Sequence, residues 1–416
     1  MSAPVHPDRA AIAANQLAAL RRLLGELTPR NAFYAPRLQA AGLSAELPSL
    51  DEFVSRLPFT RKQELVDDQA QHPPYGSNLT YPMAAYTRYS QTSGTSGAPL
   101  RWLDTPESWA GMVGNWSRVM RESGIRRGDR IFFAFSFGPF LGFWSGFEGA
   151  ARLGLRVLSG GGMGSTARLR FLVEHRATVV FATPTYACHL IEVAERDGIA
   201  LAESAVRMIV VAGEPGGNIP ATRARIEAGW GAKVIDHYGL TETGPVALEM
   251  PDEPGGMAIL SEACFAEVID PATLEPADTG ELVLTTFARR ACPVVRYRTG
   301  DLVRLAPGVR TMTRLEGGIL GRADEMVQVR GNNVYPSAIE AIVRRFPDVA
   351  EHRTTVDCTG PLVSLRLEIE TAEPDTARSI GRAIQDELLF RADVTALPPG
   401  SLPRYEMKAK RWTILR

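Results

Sequence analysis

The chain has no excess of charge of either sign: 46 basic residues stand against 47 acidic ones in 416. Partners held by a broad electrostatic field, nucleic acid and anionic membrane, are therefore excluded, and any partner is recognised locally. Cysteine is scarce. The four present, Cys188, Cys264, Cys292 and Cys358, are scattered and form no CxxC pair. That argues against a zinc ribbon or a disulfide framework and fits reduced thiols in a cytoplasmic protein. No apolar run is long enough to cross a membrane without interruption. The nearest, Ile131 to Phe147, is broken by Gly138 and Pro139 and reads as a strand, a turn and a helix. The first 24 residues carry charges throughout and read as an amphipathic helix, not a signal peptide. What remains is 45% hydrophobic and 22% charged, a soluble globular composition long enough for two or three structural units.

From about 105 to 245, helical patterns alternate with short β-branched or aromatic runs (RIFFAF, LRVL, TVVFATP, VRMIVVAG, AKVIDHYG). Such alternation predicts a parallel sheet with helical crossovers, whose ligands sit beyond the strand C-terminal ends. After 246 the runs shorten and turns punctuate them, predicting a small, mostly antiparallel β unit packed on the first. From 325 the order strand, helix, strand, strand, helix, strand predicts a small ferredoxin-like α+β domain. The fold class is thus α/β, with a large N-terminal domain over 1–323 and a small C-terminal one over 324–416.

Ser93-Gly94-Thr95-Ser96-Gly97 is a loop of small residues and hydroxyls. It suits an anion, because backbone N–H groups can approach oxygens there, or it is a plain turn. No lysine follows it as in a P-loop; Leu100 and Arg101 stand there instead. Gly162 to Ala167 matches GxGxxA, yet the next strand ends in Ala182-Thr183-Pro184 and lacks the acid that a dinucleotide ribose requires. Thr241 and Glu242, just past the last parallel strand, pair a hydroxyl with a carboxylate suited to a phosphate and its magnesium ion. They equally suit a helix N-cap. Asp301, in Tyr297-Arg298-Thr299-Gly300-Asp301, reads as lying in a tight turn between strands, able to accept from a ribose diol or merely to close a hairpin. Gly321-Arg322-Ala323-Asp324 marks the domain boundary. The basic tail Pro403 to Arg411 has the composition of a solvated end.

In this order the segments resemble the adenylate-forming superfamily of acyl-CoA synthetases, adenylation domains and luciferases. Within it the chain is most similar to the phenylacetate-CoA ligase group. The lead-in Leu57 to Leu65, the loop without a lysine, the ATPTYA segment at 182–187 and Pro293 to Asp301 carry that likeness. The resemblance implies ATP-dependent activation of an aromatic acid, amino- and hydroxybenzoates included, to acyl-AMP with release of pyrophosphate. Thioester formation with coenzyme A follows. The alternative acceptors are a carrier protein, an amine or nitrite.

By the same resemblance, Ser93 to Gly97 cradle pyrophosphate, Glu242 holds Mg2+, Thr241 bonds the α-phosphate, and Asp301 with Arg322 holds the ribose. Gly213, Glu214, Pro215, Asp236, His237 and Tyr238 line the adenine pocket. Lys408 matches the lysine that bridges carboxylate and phosphate, although Met407 replaces the usual glycine before it and Lys410 is its competitor. Asp324 matches the hinge of a rotating C-terminal domain. Gly331 matches the residue beside the pantetheine path, and Arg330 is placed with coenzyme A. Phe137, Gly138 and Phe140, facing Ala212 and Gly239, are expected to form a flat pocket for the acid. Met250 and Ala258 occupy positions that carry zinc ligands in some members, so no structural zinc is expected. The protein is expected to be a monomer or homodimer.

Overall fold

The computed structural model describes residues 8–92, 99–308, 312–330, 332–360, 363–405 and 409–415. Helix Arg9–Leu27 starts where the Asp8 carboxylate accepts from the Ala11 amide (2.7 Å), satisfying a donor that the first turn leaves over. Its apolar stripe, Leu20, Leu23, Leu24 and Leu27, is buried against Tyr34, Leu38, Phe53 and Val295, at roughly 1.5–3 kcal/mol for each large side chain removed from water.

Among the described residues, 12 strands join in one sheet. Its parallel half runs in the order Arg156–Ser159, Arg130–Phe133, Val179–Ala182, Met208–Ala212, Lys233–Leu240, with crossover helices Leu141–Arg152, Ser165–Glu174, Pro184–Asp197 and Pro220–Trp230. The expected strand and helix runs between 105 and 245 all correspond to these elements. Ile131 to Phe147 lies in strand Arg130–Phe133, a loop and helix Leu141–Arg152, and no described helix is long and apolar enough to cross a membrane.

The alternation of side chains along the strands divides the core. Val180, Ile209, Val211 and Val234 face Tyr186, Leu190 and Trp230 on one side. Phe133, Phe181, Val210 and Ile235 face Trp116, Val119 and Met120 of helix Pro106–Glu122 on the other.

The β unit after 246 continues this same sheet. Lys233–Leu240 turns back as an antiparallel hairpin with Gly244–Met250. Beyond it lie Glu253–Ile259, Thr313–Glu316, Tyr297–Pro307, Thr279–Thr286 and Cys264–Ile269. Tyr297 to Asp301 is not a turn between strands. It lies inside the long strand Tyr297–Pro307, where the register against Thr279–Thr286 shifts and Gly300 takes φ 77°, a bulge that only glycine enters without strain.

The C-terminal domain also departs from the ferredoxin-like expectation. Val327–Val329, expected as its first sheet strand, pairs with Asn332–Val334 in a separate hairpin. The four-stranded sheet is built from Asp393–Leu397, Ser364–Glu370, His352–Asp357 and the terminal Trp412–Leu415, in that order, with helices Pro336–Val343 and Thr376–Leu388.

Candidate active site

Two tyrosine–carboxylate pairs stitch the site together reciprocally. Tyr238, on the last parallel strand, donates its hydroxyl to Asp301 Oδ2 (2.6 Å). Tyr297, on the strand that carries Asp301, donates to Glu242 Oε1 (3.3 Å) in the hairpin loop that follows Tyr238. Burial raises both phenols well above their ordinary range, and the neighbouring carboxylates raise them further, so they remain donors at neutral pH. The lead-in segment supports this strand from outside. The Thr60 amide donates to the Arg296 carbonyl (2.8 Å), and the Arg298 amide donates back to the Thr60 carbonyl (2.9 Å).

Thr241 and Glu242 do not start a helix. They occupy the tip of the hairpin between Lys233–Leu240 and Gly244–Met250, closed by Gly244 at φ 75°. Gly239 fits there because a Cβ would come within 2.6 Å of the Gly244 carbonyl.

The hairpin tip is held by an ion pair that the sequence did not announce. Arg289 donates to both oxygens of Asp104 (2.8 and 2.5 Å) and to the Thr241 carbonyl, and both charged side chains are 0% exposed. Burial raises the Asp104 carboxyl, and Arg289 opposes the shift without reversing it. Glu242 itself is buried. A single buried carboxylate beside the Thr241 hydroxyl fits Mg2+, which is usually held by one or two carboxylates plus substrate phosphates.

Asp301 and Arg322 are brought together as expected. They are register partners on adjacent strands, and Arg322 Nη1 donates to Asp301 Oδ1 (3.0 Å). The same guanidinium donates to Asp324 through Nε (2.9 Å) and Nη2 (3.1 Å). Burial lowers the Arg322 pKa, but the three acids around it, Asp301, Asp324 and Glu325, outweigh that and raise it.

The residues placed around adenine divide into three environments. Gly213, at φ 97°, turns the chain out of strand Met208–Ala212, and Pro215 is exposed. Between them, Glu214 Oε1 accepts from the Thr185 amide (2.9 Å) and Oε2 from the Ala409 amide (2.9 Å), so this carboxylate ties the large domain to the C-terminal tail. Arg411 reinforces the tie, donating to Thr185 Oγ1 (3.0 Å) while held by Glu351. Asp236 lies beneath the 217–218 backbone, accepting from Asn218 Nδ2 (2.6 Å). A Cβ on Gly217 would come within 2.4 Å of the Asp236 side chain. Burial, with nearby Glu249, pushes Asp236 up to about 7. His237 points to the opposite face of the sheet, stacked on Trp116.

Of the expected acid pocket, Phe137 packs with Phe133, Trp144 and Phe147. It takes φ 48°, unusual for a bulky residue. A Cβ on Gly138 would come within 2.9 Å of the Phe140 ring, so a larger residue there would require that ring to move. Ala212 is half-buried beside His237. Met250 and Ala258 are buried in the apolar cluster of Trp116 and Phe133. Arg330 and Asp324 are exposed, as is Lys410. Ser93 to Gly97, Gly331 and Lys408 lie outside the described residues. The neighbour of Lys408, Ala409, is the residue docked on Glu214.

Residues 19–286 match the family model described as AMP-binding enzyme, and residues 331–416 match the AMP-binding enzyme C-terminal domain. The chain belongs to the AMP-binding enzyme family. It is 32% identical over 419 residues to the phenylacetate-coenzyme A ligase of Thermus thermophilus, covering 93% of this chain and 92% of that one. A 2-hydroxyisobutyryl-CoA ligase in its postadenylation state, complexed with R3-HIB-AMP, superposes with a TM-score of 0.92 at 28% identity, over 98% of this chain and 90% of that one. The same ligase in its thioesterification state, with 2-HIB-AMP and CoA, gives 0.75 at 28% identity, over 99% and 91%. The chain thus superposes better on that ligase in its postadenylation state than in its thioesterification state, and the fold and domain order are those of the adenylate-forming ligases.

Proposed function

We propose that this AMP-binding enzyme activates an aromatic carboxylic acid with ATP and passes the acyl group to coenzyme A. The observation that carries the reading is the reciprocal stitching of Thr241-Glu242 to Asp301 through Tyr238 and Tyr297. It supports the reading because the Glu242 carboxylate, suited to magnesium, and the Asp301 carboxylate, suited to a ribose diol, are each held by a tyrosine from the other's segment.

A carboxylic acid of pKa about 4 is ionised at pH 7 and needs no general base. Its oxygen attacks the α-phosphorus, the P–O bond to pyrophosphate breaks, and acyl-AMP forms. What the protein supplies is proximity of two anions and stabilisation of charge on phosphorus. Thr241 would bond the α-phosphate, and Ser93 to Gly97 would cradle the leaving pyrophosphate. Lys408 would bridge carboxylate and phosphate, delivered by the docking of Ala409 on Glu214. Glu242 would hold Mg2+, which when bound neutralises phosphate charge. Asp301 and Arg322 would hold the ribose, and Gly213, Glu214, Pro215, Asp236 and Tyr238 would surround the adenine.

In the second step the thiol sulfur attacks the acyl carbon, AMP leaves with the bonding pair, and the thiol proton passes to solvent. A thiol of pKa about 8.5 needs no dedicated base against a mixed anhydride. Asp324 would serve as the hinge between 1–323 and 324–416, with Gly331 and Arg330 on the path of coenzyme A. The acid would lie between Phe137, Gly138 and Phe140 and the rim residues Ala212 and Gly239. Names of relatives support this class, since they include phenylacetate-CoA ligases.

The experiment is acid-dependent pyrophosphate release across benzoic, hydroxybenzoic, aminobenzoic and arylacetic acids, with and without coenzyme A, and with mass analysis of the thioester. Release accompanied by aryl-CoA supports the reading. Release with no thioester formed would move the acceptor to a carrier protein or another nucleophile.

A further inference from the structure

Six buried side-chain nitrogens in the large domain have no hydrogen-bond partner among the described residues, and three of them lie together: Nδ1 and Nε2 of His237 and Nε1 of Trp116. The two rings stack, with centroids 4.3 Å apart at 26°, and His237 is 5% exposed. Each such group left without a hydrogen bond costs about 1–3 kcal/mol, and native proteins carry few of them. Here three lie in adjacent rings.

Their place in the fold is equally specific. Along strand Lys233–Leu240, alternation puts His237 on the face of Ile235, in the cluster of Phe133, Phe181 and Val210, with Phe137 and Phe143 packed against it. Its register partner is Ala212, which shares that face with Val210 and is the last residue of its strand. His237 therefore stands at the C-terminal rim beside the expected acid pocket. Asp236, one residue back, points to the other face toward Gly217 and Asn218.

Burial pushes the imidazole down to about 3. At neutral pH the ring is uncharged, with one nitrogen donating and the other accepting, and the indole adds a donor. A group that satisfies this set must both donate and accept, as a hydroxyl or an amine does and a methyl or a halogen does not.

Resting on the acid-activating reading above, we propose that His237, stacked on Trp116, is a specificity residue that hydrogen-bonds a hydroxyl or amino substituent of the acid. The substrate class then narrows from aromatic acids at large to those carrying such a substituent.

The test is kcat/KM for acid-dependent pyrophosphate release, measured with matched acids that differ only in the hydroxyl or amino group, for wild type, His237→Leu and His237→Asn. Wild type is expected to prefer the substituted acid. The preference should fall about tenfold to a hundredfold in His237→Leu and return in part in His237→Asn, which keeps a donor and an acceptor. Ligand-free His237→Leu should unfold at a denaturant midpoint no lower than wild type, because an apolar side chain replaces orphaned nitrogens.

A wild-type preference for the unsubstituted acid overturns the proposal, as does an unchanged preference in His237→Leu. A raised KM for ATP with the preference intact returns His237 to the adenine site. A lower midpoint with equal losses on both acids shows a structural ring bridged by water only. Should His237→Leu fail to fold, Trp116→Phe, which removes the indole donor while keeping an aromatic ring, is measured in its place, and an unchanged preference there overturns the proposal. Absence of pyrophosphate release with every acid would instead sink the adenylation reading, and this inference with it.

Discussion

Replacing Arg289 by methionine should separate what holds this site from what performs the chemistry. Arg289 makes three hydrogen bonds, two to Asp104 and one to the Thr241 carbonyl, and neither charged side chain is reached by solvent. Removing the guanidinium leaves a buried carboxylate without its countercharge, at a cost of about 3–5 kcal/mol, several times that of an exposed pair. Methionine keeps an adaptable apolar side chain over the Trp102 ring, which Arg289 now covers at 5.0 Å. The loss should therefore come from charge more than from volume.

The sign of its pH dependence follows from Asp104. Its folded carboxyl is raised, mainly by burial. It therefore favours the folded state at low pH, and that contribution is lost as pH rises through the folded pKa. Without Arg289 the folded pKa rises further, so the deficit is largest at neutral pH and shrinks toward acid. The double variant Arg289→Met/Asp104→Leu removes both charges and should recover most of the stability. It will not recover the donor to Thr241, so adenylation should stay slow. The assay is the denaturant midpoint at unchanged slope, from pH 5 to 8, beside acid-dependent pyrophosphate release. A single-variant deficit below about 1 kcal/mol, or a double variant as unstable as the sum of the singles, would refute the reasoning.

Three other outcomes are expected. Lys408→Ala should lower pyrophosphate release by orders of magnitude more than it lowers thioester formation from synthetic acyl-AMP; if Lys410→Ala shows that pattern instead, Lys410 is the bridging lysine. Glu214→Ala removes the acceptor shared by Thr185 and Ala409, and should slow adenylation about tenfold or more while slowing thioester formation less; equal losses would place Glu214 in the nucleotide pocket alone. Asp236, raised to about 7, has a folded pKa above its unfolded one, so it withdraws on the order of 3–4 kcal/mol of stability as pH climbs from about 4 to 7. Asp236→Asn should flatten that slope in unfolding curves, and a slope that persists would show that the carboxylate is better solvated than its burial implies.

The order of elements was legible because each rests on local pattern. The crossover helices carry apolar stripes, and the strands between them are short β-branched runs. Thr241, Glu242, Asp301 and Arg322 stand out in the sequence as candidates because hydroxyls, carboxylates and glycines cluster around them. Their supports were not. Arg289 and Arg290 are adjacent in a turn, and nothing local marks which is buried against Asp104, 185 residues away. Glu214 read as pocket lining, since its second partner lies 195 residues on. Gly300-Asp301 suggests a turn in sequence, and the bulge it makes is visible only once its partner strand is in register. Val327–Val329 has the pattern of a sheet strand, but pattern alone does not choose between the four-stranded sheet and a local hairpin.

Arg322 gives one donor group to Asp301 and two to Asp324. Under the assignments proposed above, the sugar clamp and the pivot between the domains thus share a single cation. A swing of the small domain that drew Asp324 away would strip two hydrogen bonds from that cation and leave Asp301 a larger share of its charge. The grip on the nucleotide would then tighten at the moment the acyl group is exposed to its acceptor, which guards against escape of the adenylate. Loosening would have to wait until the pivot swings back. Release of AMP and readiness for the next ATP would thereby become one event, timed by the competition of two aspartates for one arginine.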